Sequence, residues 1–119
     1  MDLEIDFDKM GGLAPAIVQD ADNGEVLMLG FMNAESYVLT QKTGFVTFYS
    51  RTRNKMWMKG ETSGNRLEVV SASTDCDVDT LLFRVRVQGD GLVCHEGTRS
   101  CFTKEISISP DLTAIGVSQ

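Results

Sequence analysis

Two short stretches concentrate the residue types that do chemistry. In Cys94-His95-Glu96-Gly97-Thr98-Arg99-Ser100-Cys101, six residues separate two thiols and include the only histidine of the chain. Gly97 permits a return turn that would face both sulfurs toward one point. Thiolates suit Zn²⁺. In an extended backbone the neighbouring side chains of Cys94 and His95 diverge, which disfavours them as ligands of one ion and favours three thiolates over a Cys₃His set. Three protein ligands and a water are the open coordination of a catalytic zinc, whereas a structural zinc is normally closed by four. The third thiol, Cys76, lies eighteen residues before Cys94 and no C-x-x-C is present, so spacing alone favours buried cysteines and a satisfied core histidine.

The second stretch is Asp75-Cys76-Asp77-Val78-Asp79. Aspartate is disfavoured in strands. If the segment is extended, the three carboxylates share one face and Cys76 points to the other, so that a hard-ion site for Mg²⁺ and a thiolate could stand back to back. At roughly 3.3 Å per residue, Asp75 and Asp79 would then lie about 13 Å apart, too far to grip one ion unless the chain bends. A solvated acidic loop is the plainer alternative. A third stretch, Lys59-Gly60-Glu61-Thr62-Ser63-Gly64-Asn65, offers glycines, hydroxyls and an amide that could cradle a phosphate, although the Walker order is absent and an ordinary turn fits too. Trp57 could stack on a base or fill the core.

The elements that must position these groups read as follows. Leu13–Asp20 and Glu25–Gly30 form a hairpin around Asp22-Asn23-Gly24. Asn33 caps a helix of about ten residues that stops before Gly44. Phe45–Ser50 and Lys55–Lys59 form a second hairpin, and Arg66–Ser71, Leu81–Val87 and Phe102–Ile108 follow as strands. The pattern is mainly β, in the α+β class, with one clear helix and no repeat or linker.

With 119 residues, 42% hydrophobic and 24% charged, the chain fits one domain, 1–119, and neither a disordered protein nor one with a transmembrane segment. Seventeen acids against eleven bases give a net charge of −6, which disfavours nucleic acid as a partner. Against that field, Arg51, Arg53, Lys55 and Lys59 form a basic island suited to a small phosphorylated substrate; a charged, solvated hairpin is the other reading. An acidic start without a basic leader, and an odd cysteine count, point to the cytoplasm and to thiols rather than disulfides.

Taken together, Trp57–Asn65, Asp75–Asp79 and Cys94–Phe102 resemble, in order and spacing, the phosphoribosyl-AMP cyclohydrolase family of histidine biosynthesis. The resemblance runs back through Ser50-Arg51-Thr52-Arg53, Met32-Asn33 and Leu13–Asp20, and covers about residues 12–102. It implies hydrolytic opening of the adenine ring of 1-(5-phosphoribosyl)-AMP at N1–C6, in a small mixed-sheet pseudobarrel with one or two short helices that pairs as an intertwined homodimer. It also implies zinc on Cys76, Cys94 and Cys101, shared across the dimer, and magnesium on Asp75, Asp77 and Asp79. Some family members carry a fused phosphoribosyl-ATP pyrophosphatase domain; the short tail here matches the monofunctional form. Beside these, His95 is expected as general base or proton shuttle, since an imidazole titrates at about 6.5. Arg51, Arg53, Trp57, Lys59, Glu61, Thr62, Ser63 and Asn65 are expected to contact substrate. A zinc deaminase is disfavoured, because its H-x-E and P-C-x-x-C signature is missing. The competing class is a non-catalytic, zinc-stabilised nucleotide-binding module.

Overall fold

The computed structural model describes residues 3–116. Strands β1 (Ala14–Asp20) and β2 (Val26–Met32) form the expected antiparallel hairpin. Helix α1 (Ala34–Thr43) follows, then the short hairpin β3 (Thr47–Ser50) and β4 (Lys55–Met58), and then β5 (Leu67–Thr74) and β6 (Leu81–Val87). The larger sheet runs β2-β1-β6-β5, with β1 and β6 parallel and the other pairs antiparallel. The expected mainly β, α+β architecture forms, with a single α-helix and two 3-10 turns, Asp8–Met10 and Leu112–Ile115, among the described residues. No helix among them is long and apolar enough to cross a membrane.

Strict alternation in β1 buries Ala14, Ala16, Val18 and Asp20 on one face, and the parallel register sets Val18 beside Phe83 and Asp20 beside Val85. Period-two patterning therefore delivers a carboxylate to the core side of the last β1 position. The β3–β4 hairpin closes the core from both sides. Phe45 bridges Glu68 in β5, while buried Phe48 lies so close to β2 that a Cβ at Gly30 would stand 2.6 Å from its ring. Only glycine lets the two sheets approach at this point. The result is a small mixed-sheet wrap around Phe48, Phe83, Leu27, Met32, Leu67 and Val93.

Asn33 caps α1 as the sequence requires: its side-chain oxygen accepts from the Ser36 N–H at 2.8 Å, and Ser36 Oγ accepts from the Asn33 N–H at 3.0 Å. Ser36 and Thr40 are the buried helix positions. The Thr40 hydroxyl donates to the Ser36 carbonyl at 2.9 Å and accepts from the Thr47 N–H at 3.0 Å, which ties the helix to β3.

One expected strand does not form. Phe102–Ile108 belongs to no strand and is exposed, with Ile106 at 81% and Ile108 at 79%. Its alternating pattern is real, but within one chain it finds no sheet edge. A strand needs the ladder of a neighbour to satisfy its backbone.

Candidate active site

The cysteine loop is built from backbone hydrogen bonds. The Val93 N–H donates to the Arg99 carbonyl at 3.2 Å, Cys94 N–H to Thr98 O at 3.0 Å, and Gly97 N–H to Cys94 O at 3.0 Å. Gly97 takes the left-handed φ of 84° that the return requires. The loop is then pinned to β2: Cys101 N–H donates to Leu27 O at 2.8 Å, and the buried Ser100 hydroxyl donates to Val26 O at 2.8 Å. Cys94 and Cys101 consequently become neighbours, near enough for each thiol to influence the other. The Glu96 backbone N–H and the Thr98 hydroxyl beside Cys94 hold its thiol below the usual range, whereas burial, then the neighbouring Cys94, pushes Cys101 up. One sulfur is thus biased toward thiolate and the other toward thiol donor.

The loop forms one wall of an open cleft of about 580 Å³. Cys94 and exposed His95 line it from this side, together with Leu92 and Val93. The opposite wall carries Arg53, Trp57 and Lys59, and the floor is the turn with Glu61, Thr62, Ser63 and Asn65. Seven of the eight expected substrate contacts and the expected acid–base residue therefore share one cavity. Lys55, which the basic island included but the substrate set did not, lines it too. Arg51 is the exception. Its guanidinium lies over the Phe31 ring at 5.8 Å, in an adjoining cleft that reaches Trp57 from the other side. Trp57 itself is half-buried, 5.1 Å from Phe48, with Lys59 Nζ 5.9 Å from its ring. It is both core wall and cleft wall.

The aspartate segment departs from the extended alternative. Residues 75–79 form a turn in which Val78 takes a positive φ of 55°. Asp75 Oδ1 accepts from the N–H groups of Asp79 at 3.1 Å and Thr80 at 3.2 Å. The chain bends because an aspartate carboxylate competes with the ladder for nearby backbone donors. The bend removes the distance problem: one carboxylate oxygen from each of Asp75, Asp77 and Asp79 lies within 4.8 Å of the others. Lys9 already supplies a cation there, its ammonium 2.7 Å from Asp77 and 3.1 Å from Asp79. That contact raises the Lys9 pKa and lowers that of Asp77 to about 2. Three hard oxygens around a cation fit Mg²⁺ by donor type, as two neighbouring thiols fit Zn²⁺.

Residues 28–103 match the phosphoribosyl-AMP cyclohydrolase family. A phosphoribosyl-AMP cyclohydrolase of Trichlorobacter lovleyi is 56% identical over 100 residues, covering 84% of this chain and 79% of that protein. The chain belongs to the phosphoribosyl-AMP cyclohydrolase family. Another cyclohydrolase, from Solibacter usitatus, is 52% identical over 104 residues, covering 87% of this chain and 82% of that one. The histidine biosynthesis bifunctional protein HisIE of Bacteroides thetaiotaomicron is 58% identical over 100 residues, which cover 84% of this chain and 48% of that protein.

For a cyclohydrolase family member, the placement of the three cysteines is informative. Exposed Cys76 sits in the aspartate turn, and among the described residues it does not join Cys94 and Cys101 in a cluster. Sequence reasoning missed three residues that the structure places against these groups. Ser100 anchors Cys101 to β2. Lys9 occupies the aspartate turn from a segment whose acidity concealed its one cation. Arg99 ties the cysteine loop to the β1–β2 turn. Of these, only Ser100 carried a local signal, as a hydroxyl flanking a candidate ligand.

Proposed function

We propose that the chain hydrolyses the N1–C6 bond of the adenine ring in 1-(5-phosphoribosyl)-AMP, using zinc held by Cys76, Cys94 and Cys101 and magnesium held by Asp75, Asp77 and Asp79. The observation that carries this reading is that Cys94, which has Cys101 as a neighbour, shares one cleft with His95 and the cationic wall. Bound zinc would lower the pKa of a water and so supply a hydroxide-like nucleophile for the electron-poor C6. Arg53, Lys55 and Lys59 attract and hold the substrate's phosphates, and Thr62 and Ser63 offer hydroxyl donors at the floor. Trp57 presents an aromatic edge to the purine. Exposed His95, beside Cys94, takes the proton released by the attacking water and returns it to the departing N1 side.

The metal sites favour an assembly of two chains. In a single chain Cys76 stands apart from the other two thiols, so a three-thiolate site would draw Cys76 from a partner subunit. The unpaired segment from Phe102 to Ile108, alternating in sequence, is the matching structural argument, since it leaves Phe102, Ile106 and Ile108 exposed. Exposed Leu29 and Phe31 of β2 and Val38 of α1 add further apolar surface that a second copy would cover.

The first test is the ultraviolet absorbance change on mixing zinc- and magnesium-loaded protein with 1-(5-phosphoribosyl)-AMP, because ring opening alters the purine chromophore. A rapid change that is abolished in Cys101→Ser supports the reading. No change from folded, metal-loaded protein refutes it and leaves a zinc-stabilised binding module. His95→Ala should lower kcat with zinc content unchanged; a parallel loss of zinc would make His95 structural. For the shared site, inactive Cys76→Ser and Cys94→Ser chains are mixed and re-associated. Partial recovery of turnover is expected, because one of the two sites in each hybrid is then intact, and no recovery would refute sharing.

A further inference from the structure

We propose that Arg99, held by Asp20, is a positioning residue for the Cys94–Cys101 thiol pair. The proposal rests on the pair's role as a metal-binding unit, but the geometry that motivates it is independent of any ion. Asp20 ends β1 on its core-facing side and is 4% exposed. A buried carboxylate must be paired and hydrogen-bonded to remain ionised there. Its Oδ1 accepts from the backbone N–H groups of Asp22 at 2.8 Å and Asn23 at 3.3 Å, which shapes the β1–β2 turn. Its Oδ2 faces the Arg99 guanidinium. The same guanidinium reaches Glu25 at 3.2 Å and donates to the Gly91 carbonyl at 3.2 Å.

Arg99 therefore ties three pieces of backbone together through one planar group: the β1–β2 turn, the turn after β6, and its own loop. Its main-chain carbonyl accepts the Val93 N–H, so the residue is fixed at both ends. Cys94 lies five positions before it and Cys101 two after it. Beyond its anchors on Leu27 and Val26, the loop is restrained by the guanidinium contacts with Asp20, Glu25 and Gly91, and their loss would free it to move the sulfurs apart. A lysine in its place provides one point charge and cannot hold several acceptors in a fixed fork.

The test compares Arg99→Gln, Arg99→Lys and Asp20→Asn with the parent protein by two measurements. Amide hydrogen exchange of the metal-free protein reads the clamp directly. We expect the Cys94 and Cys101 amides, bonded to Thr98 and Leu27, to lose at least about tenfold in protection while the β1 and β6 amides keep theirs. Zinc affinity, measured by competition with a chromophoric chelator, should fall by about 10- to 100-fold, the range seen when groups that orient metal ligands are removed. Asp20→Asn should reproduce the effect, and the Asp20→Asn/Arg99→Gln double variant should add little to it. Unchanged protection at both cysteines would overturn the proposal, as would equal loss of protection across β1 and β6, which would make the pair a general fold support. Failure of the parent protein to bind zinc would count against the metal reading alone, because the exchange measurement still decides the clamp.

Discussion

Asn65 was expected to contact substrate, yet the structure gives its side chain other work. Its Oδ1 accepts the Asp90 N–H at 2.8 Å and its Nδ2–H donates to the Leu92 carbonyl at 3.1 Å. These bonds join the floor of the cleft, residues 59–65, to the turn that leads into the cysteine loop. Asn65→Ala removes both. At about 0.5–1 kcal/mol for each of these exposed bonds, where water can replace a partner, the loss is about 1–2 kcal/mol. For a chain of this size that corresponds to a fall in Tm of about 5–10 °C at fixed protein concentration. Gly89→Ala attacks the same junction from the other side, since its Cβ would stand 2.0 Å from Asn65 Oδ1 at a φ of 66°. Because the two substitutions disturb one bond, the double variant should lose clearly less than the sum of the single losses. Thermal unfolding followed by circular dichroism, with KM measured alongside, decides the matter. An Asn65→Ala protein with unchanged Tm and a KM raised more than tenfold would refute the reasoning and return Asn65 to the role of a substrate ligand.

Lys9→Met removes the ammonium that occupies the aspartate turn, so Mg²⁺ or Mn²⁺ should bind that turn about three- to tenfold more tightly at low salt, as calorimetry would record; unchanged affinity would mean Lys9 is a bystander. In metal-free protein the Asp77 carboxyl should titrate near 2 rather than its ordinary 3.8. A folded-state pKa below the unfolded one contributes stability above about pH 4 that is lost as pH falls through about 2, and the raised Lys9 pKa keeps its side of the contact intact until strongly alkaline pH. Carboxyl-carbon NMR checks this, and a midpoint near 3.8 would contradict the contact. Iodoacetamide should modify Cys94 before Cys101 in metal-free protein near pH 8, because the first thiol is biased toward thiolate and the second away from it; mass spectrometry of the early products tests the order. Asn33→Ala, which removes the α1 cap, should cost about 1 kcal/mol in urea unfolding without changing KM.

The parts of the fold fixed by local chemistry were legible in the sequence. Asp22-Asn23-Gly24 marked the first turn, Asn33 and Gly44 bounded α1, and the aromatic run at 45–50 paired with 55–58. The cysteine loop was legible for the same reason: Gly97 is a local turn signal, and the two thiols it joins are close in sequence. What stayed hidden is governed by contacts between distant residues. The Asp20–Arg99 pair spans the chain from β1 to the cysteine loop, and nothing near either residue announces the other. The aspartate segment stayed open between strand and loop because alternation was counted while the backbone donors that Asp75 captures were not. Arg51 was grouped with Arg53 by proximity, but positions on opposite sides of a tight turn part company, one stacking on Phe31 and the other entering the cleft.

The Phe102–Ile108 segment carries a different lesson. Its even-numbered positions are Phe, Lys, Ile and Ile, a strand pattern that requires a neighbouring edge and an apolar surface to have any physical meaning. Among the described residues it has neither, and two contacts tie it to the cysteine loop: Lys104, 3.2 Å from Glu96, and the Phe102 N–H, which donates to Ser100 Oγ at 3.0 Å. Cys76 presents the same kind of mismatch, a residue type suited to a thiolate site placed away from the other thiols. The proposed second copy, receiving the strand and exchanging the thiol, would resolve both mismatches. A pattern that local physics dictates and a single chain leaves unsatisfied then becomes information about assembly, and the mixing of Cys76→Ser and Cys94→Ser chains tests it at the level of chemistry.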